Sequence, residues 1–166
     1  MFAIWPILLV EEIIATLQHD PSDLSTYALA TAIGAATIAQ LRIGLENGGC
    51  DSVTAERMEE ECQRVRRELG RQRSTSGVAE TMSPITSAER AEMEGLNLTN
   101  LRTTFFLHVY HENVDPGGLK SFTFLREAIT MAQMMGLHRE SSYEGLPYEE
   151  QQLRRRILWL LFVTER

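Results

Sequence analysis

The pair His108 and His111, in H-V-Y-H-E, comes nearest to chemistry in these 166 residues. Two imidazoles one helical turn apart, beside a carboxylate, can ligate zinc when a third ligand lies near. The order fails for the helical zinc-protease motifs, since neither H-E-x-x-H nor H-x-x-E-H occurs. No Glu-x-x-His pair is present, so the motif of a di-iron bundle is missing too. The two histidines therefore read as satisfied or partly exposed helix residues. A serine nucleophile lacks its G-x-S-x-G elbow. Neither a P-loop nor a G-x-G-x-x-G fingerprint is found. The carboxylate pairs Glu11-Glu12 and Glu149-Glu150 sit near helix ends or on polar faces. Acids in a first turn are favoured by the positive end of the helix dipole. The sequence thus offers no catalytic constellation, and neither an enzyme nor a cofactor site is expected.

The remaining reactive groups have ordinary readings. Two cysteines, Cys50 and Cys62, are too few for a disulfide framework and form no C-x-x-C pair. Reduced thiols fit a cytosolic or nuclear protein, and Cys62 falls on an apolar helix position. Arg64, Arg66, Arg67 and Arg71 could make a phosphate-binding strip. Interleaved glutamates cancel that field, so a solvated helix face is the expectation. Net charge is −7, whereas a duplex DNA binder needs a basic footprint. No direct nucleic-acid binding is expected. Met131, Met134 and Met135 are expected to fill core more than to line an adaptable pocket.

The elements that must position these groups are helical almost throughout, which predicts an all-α fold. The apolar run Phe2–Val10 is too short to span a bilayer and lacks the flanks of a secretory signal. It reads as a packing segment, with Pro6 suited to a first helical turn. Ser22 and Asp23 offer caps to a helix over about 24–45. Ala28, Ala32, Ala35, Ala36 and Ala39, with Gly34, give that helix a small-residue face for a closely packed neighbour. Gln40, Arg42 and its modest hydropathy argue against a membrane helix. After Asn47-Gly48-Gly49, Ser52 is expected to cap a helix over about 53–69, with Met58, Cys62, Val65 and Leu69 as its apolar stripe. Glu60–Arg64 and Arg64–Glu68 are spaced to pair along it.

Residues 70–86 are polar and rich in Ser and Thr, and read as an exposed, mobile loop. Ser87 and Glu89 suit a further helix start. The helix over about 98–112 is apolar on almost every side and should be central. Asp115-Pro116-Gly117-Gly118 is a turn. A helix over 119–135 should bury Phe122, Leu125, Ile129 and Ala132, with Gly136 closing it. Its Thr130, Met131, Gln133 and Met134 are poor groove-reading chemistry, so this helix pair is not a DNA reader. A last helix opens near Pro147. Its apolar face is unfinished at Arg166, which predicts an irregular multi-helix bundle truncated at the C-terminus.

Three stretches resemble one family. They are A-L-A-T-A-I-G-A-A-T-I-A-Q-L-R (28–42), F-F-L-H-V-Y-H-E-N through P-G-G to F-L-R-E-A-I-T-M-A-Q-M-M-G-L-H-R (ending at Arg139), and Q-Q-L-R-R-R-I-L-W-L-L-F-V-T-E-R. With W-P-I-L near the start, they resemble the middle homology region of fungal transcription factors that carry a binuclear zinc cluster. Regulators of sugar and starch utilisation, such as the amylase regulators, are the nearest in pattern. The resemblance implies an all-helical regulatory region over 1–166 that controls RNA polymerase II transcription from the nucleus, although a fragment could stay in the cytoplasm. It implies structural roles for Leu137, His138 and Arg139, for Arg154, Arg155, Arg156 and Trp159, and for Glu165 and Arg166. Buried arginines pairing with Glu140 or Glu144 would orient the last two helices. The six zinc-cluster cysteines are missing, so zinc is expected in no site of this chain. The implied partners are a small-molecule inducer or a corepressor or coactivator protein, with no membrane. The competing reading is a plain helical interaction or homodimerisation domain.

Overall fold

The computed structural model describes residues 7–41, 53–76 and 96–166. Among them are six α-helices and no strand: α1 (Val10–His19), α2 (Leu24–Leu41), α3 (Ala55–Ser76), α4 (Leu98–Val114), α5 (Leu119–Met134) and α6 (Tyr148–Thr164). A 3-10 turn at Glu140–Tyr143 joins the last two.

Local chemistry sets the helix ends. Asp23 caps α2, its carboxylate accepting the Ser25 and Thr26 N–H groups at 3.0 and 3.2 Å. Thr54 caps α3 by accepting from the Arg57 N–H at 3.2 Å, so the cap lies at Thr54 and not at Ser52. Asn97 caps α4 through the Asn100 N–H at 2.7 Å. Residues 70–76, expected to begin a loop, continue α3 to Ser76 instead. Arg71 pairs with Glu68 one turn back along this part of the helix. Trp5, Pro6, residues 42–45, the Asn47-Gly48-Gly49 break, Cys50, residues 77–86, Ser87 and Glu89 lie outside the described residues.

α4 is the hub. Its residues 101–111 are buried without interruption, the polar Arg102, Thr103, Thr104, His108 and His111 included, so neighbours cover this helix on every side. Phe105 and Phe106 meet edge-to-face at 5.9 Å. α2 packs on α4 and on α3, and α5 packs on the far side of α4. The small-residue face of α2 does what its spacing predicts: Ala28, Ala32, Ala35 and Ala36 are buried. A side chain at Gly34 would begin 2.5 Å from Met58 Cε, so the tip of the Met58 side chain on α3 fills the space the glycine leaves. α2 is also long and apolar enough to cross a membrane by length and composition. A core helix passes the same test, and α2 lies between α3 and α4. Cys62 and Val65 are fully enclosed along the α3 stripe.

α5 differs from expectation at Phe122, which is 54% exposed and lies under the Arg126 guanidinium at 5.1 Å. Leu125 and Ala132 are buried as expected, joined by Ser121, Ala128 and Met131, while Ile129 is half-buried. Met131 is core, while Met134 is exposed. The helix closes in a Schellman turn: the Leu137 N–H reaches the Ala132 carbonyl and the Gly136 N–H the Gln133 carbonyl, both at 3.0 Å. Gly136 carries the required positive φ of 70°.

Candidate functional site

The polar groups that the sequence singles out fall into two places. The first is the interior, where α3, α4 and α5 meet. His108 and His111 are both buried, but they face different neighbours. His108 Nδ1 lies 3.0 Å from the Ser121 carbonyl and 3.0 Å from Ser121 Oγ. Ser121 Oγ donates to Glu112, so the imidazole N–H is assigned to the carbonyl. Glu112 also accepts the Gly117 N–H at 3.2 Å, strapping the turn before α5. The Ser121 hydrogen bond holds the Glu112 carboxyl below its ordinary range. Serine, histidine and carboxylate thus share one network, yet the order is wrong for a nucleophile. A relay needs imidazole between hydroxyl and carboxylate, and here the hydroxyl stands between.

His111 stacks face-on against Phe124 at 5.2 Å. Its Nε2 lies 3.3 Å from Glu59 Oε1, at an angle that makes no hydrogen bond. Burial pushes the pKa of both histidines down. For His111 it outweighs the opposing pull of Glu59. Burial likewise pushes the Cys62 thiol up to about 11, which makes it inert.

One arginine of α3 departs from the solvated-face expectation. Arg66 crosses to α5, pairing with Glu127 at 2.6 Å and touching Thr104 Oγ1 at 3.3 Å, with its guanidinium over Phe124. Arg64 and Arg71 stay on the exposed face and pair with Glu61 and Glu68. The pairs therefore form three residues apart, not four, because these rotamers put each guanidinium over the preceding turn.

The second place is the junction of α5, the 3-10 turn and α6. Leu137 is its buried anchor, 1% exposed. The Tyr143 hydroxyl donates to the Leu137 carbonyl at 2.5 Å, and Arg155 covers the Tyr143 ring at 4.7 Å. Arg155 also meets Glu140 at 2.5 Å. That pair was expected to be buried, but the side chains are 37% and 78% exposed. It clamps the turn onto α6 from outside. Arg154 turns back to Glu150 within α6, and Arg126 of α5 reaches Glu165 at 3.1 Å. His138, Arg139, Arg156, Trp159 and Arg166 are exposed. Arg156 therefore does not bury against Glu140 or Glu144. Arg139 Nε contacts His138 Nε2 at 3.2 Å, and Arg166 lies over Phe162.

Between α5 and α6 runs a groove of about 300 Å³, lined by Ile129, Ala132, Gln133, Leu158, Leu161 and Phe162, with His138 and Glu165 at its polar edge. That is the lower end of small-molecule sites. Tyr143 and the Arg66–Glu127 pair escaped sequence reasoning. Tyr143 left one signal, an aromatic ring alone in a polar loop. The Arg66–Glu127 pair left none, since its partners are 61 positions apart.

The fungal specific transcription factor domain matches residues 65–166, which takes in the latter part of α3 and all of α4, α5, the 3-10 turn and α6. The chain belongs to this family. The probable sucrose utilization protein SUC1 of Candida albicans is 34% identical over 170 residues, covering 99% of this chain and 29% of that protein. The maltose fermentation regulatory protein MAL13 of Saccharomyces cerevisiae is 26% identical over 167 residues, covering 100% of this chain and 30% of that protein. The respiratory transcription factor ZNF1 of the same yeast is 23% identical, covering 100% and 31%. The chain thus spans about a third of the length of these curated relatives. No solved structure matches it. Within the fungal specific transcription factor domain, the Leu-His-Arg and Arg-Arg-Arg stretches frame the Schellman turn, the 3-10 turn and the Arg155 clamp.

Proposed function

We propose that this chain is the regulatory region of a fungal transcription factor that controls carbohydrate-utilisation genes from the nucleus, and that it is not an enzyme. The observation that carries this reading is alignment along the whole chain with a sucrose utilization protein and maltose fermentation regulators. The geometry supports a conformational role. The Ser121–His108–Glu112 network has no nucleophilic order. α6 meets the body chiefly through α5, with a groove between them. A ligand or partner that favours one placement of α6 shifts the population without chemistry.

The test places this chain between a heterologous DNA-binding domain and an activation domain in yeast, and reads a reporter in sucrose, maltose and glycerol. Output that changes several-fold with the sugar is expected. Equal output in all three carbon sources, with equal protein levels, would sink the reading.

A second reading is favoured by one observation. Arg156, Trp159 and Val163 share a face of α6 by their spacing, and Trp159 is 64% exposed. Such a face suits a helical protein partner, a corepressor or coactivator, or a second copy. Sugar-independent reporter output together with a stable dimer in light scattering would favour this interaction role.

A further inference from the structure

Arg102 lies on α4, one turn before the Phe105–Phe106 pair, and is 7% exposed. Its Nε and Nη2 are closed off from water, yet neither meets a hydrogen-bond acceptor among the described residues. These two atoms form one edge of the guanidinium. Their N–H bonds point the same way, a fork that fits the two oxygens of a carboxylate. Arginine keeps its proton in proteins, so the charge stays in place. A buried donor without an acceptor is costly, and a buried charge more so.

The α4 neighbours one turn either side, Leu98, Thr99, Phe105 and Phe106, bring no carboxylate. Of the described carboxylates, Glu12 on α1 is the one whose charge acts on Arg102. Glu12 is exposed, on a helix that rests chiefly on α2. The guanidinium edge is therefore desolvated and without an acceptor among the described residues, while the described carboxylate whose charge reaches it occupies an exposed position on α1.

We propose that the Nε–Nη2 edge of Arg102 is a carboxylate-binding site, filled by Glu12 swinging in from α1 or by a free carboxylate that takes its place. The site does not rest on the transcriptional reading, and either can fail without the other. Glu12 seated there ties α1 to the hub helix, whereas a free carboxylate fills the same fork without holding α1.

The test is thermal unfolding of the whole 166-residue chain in sodium acetate against sodium chloride of equal ionic strength. Wild type is compared with Glu12→Gln, Arg102→Met and Arg102→Lys. In Glu12→Gln, acetate is expected to raise Tm saturably, by about 5 °C. If wild type needs more acetate for the same rise, Glu12 is the resident carboxylate. If both follow one curve, the site belongs to a free ligand. Both Arg102 variants should lose the saturable rise, and Arg102→Lys assigns the loss to the fork, since it keeps the charge. An equal acetate effect in the Arg102 variants would overturn the proposal. So would the absence of any saturable effect in Glu12→Gln.

Discussion

At the scale of single residues, burial decides more than residue type. His108 and His111 invite a metal or acid–base reading in sequence, and the fold makes them two neutral rings in a packed interior. Their folded-state pKa values lie below the ordinary 6.5. The unfolded chain therefore takes up protons first as pH falls. Stability is fully present above about 6.5 and is lost as pH drops through the folded values. Tm should be lower at about pH 5.5 than at 7.5, and His111→Gln should flatten that slope. An unchanged slope in the variant would count against it. The junction residues split in the same way. Leu137→Ala should cost about 2–5 kcal/mol in urea unfolding, because Leu137 is enclosed. Trp159→Ala should stay within about 0.5 kcal/mol, because most of its ring faces solvent. Spacing showed that Cys62 is core, since it falls on the α3 stripe. Spacing could not show that Arg102 is enclosed, because a positive charge beside Leu101 usually marks a helix edge.

Helices were legible where apolar period and caps agree. The Asp23 cap, the Asp115–Gly118 turn and the Gly136 closure all follow from local chemistry, which acts over a few residues. Errors arose where distant contacts choose the face. Phe122 fits a buried stripe by period, yet α5 is rotated so that Ser121 and Leu125 face inward. Two glycines test the element scale. Gly136→Ala should destabilise by about 1–2 kcal/mol, because Gly136 holds a φ of 70° and Ser142 leaves room for a methyl group. Gly34→Leu should cost about 1–3 kcal/mol despite better helix propensity, because Met58 occupies that space. Met58→Ala in the same chain should restore part of the loss, measured as a non-additive double-mutant cycle. Strictly additive costs would show that α2 and α3 do not meet as described.

For the whole molecule, the family and the all-helical class were open to sequence because both rest on local pattern. Leu137-His138-Arg139 and Arg154-Arg155-Arg156 with Trp159 are contiguous or nearly so. The arrangement of helices was not, since a hydrophobic period says which face is apolar but not which neighbour covers it. Nothing in the order of residues places α4 between α2 and α5. That placement has a consequence measured in time. Amides of a helix sheathed on every side can meet deuterium only when the bundle opens as a whole. Residues 101–111 should therefore exchange last and together, at a rate set by global unfolding, while amides of α1 and of the last turn of α6 exchange far sooner. Exchange at α1 as slow as at α4 would mean that the first helix leaves the bundle only when everything does.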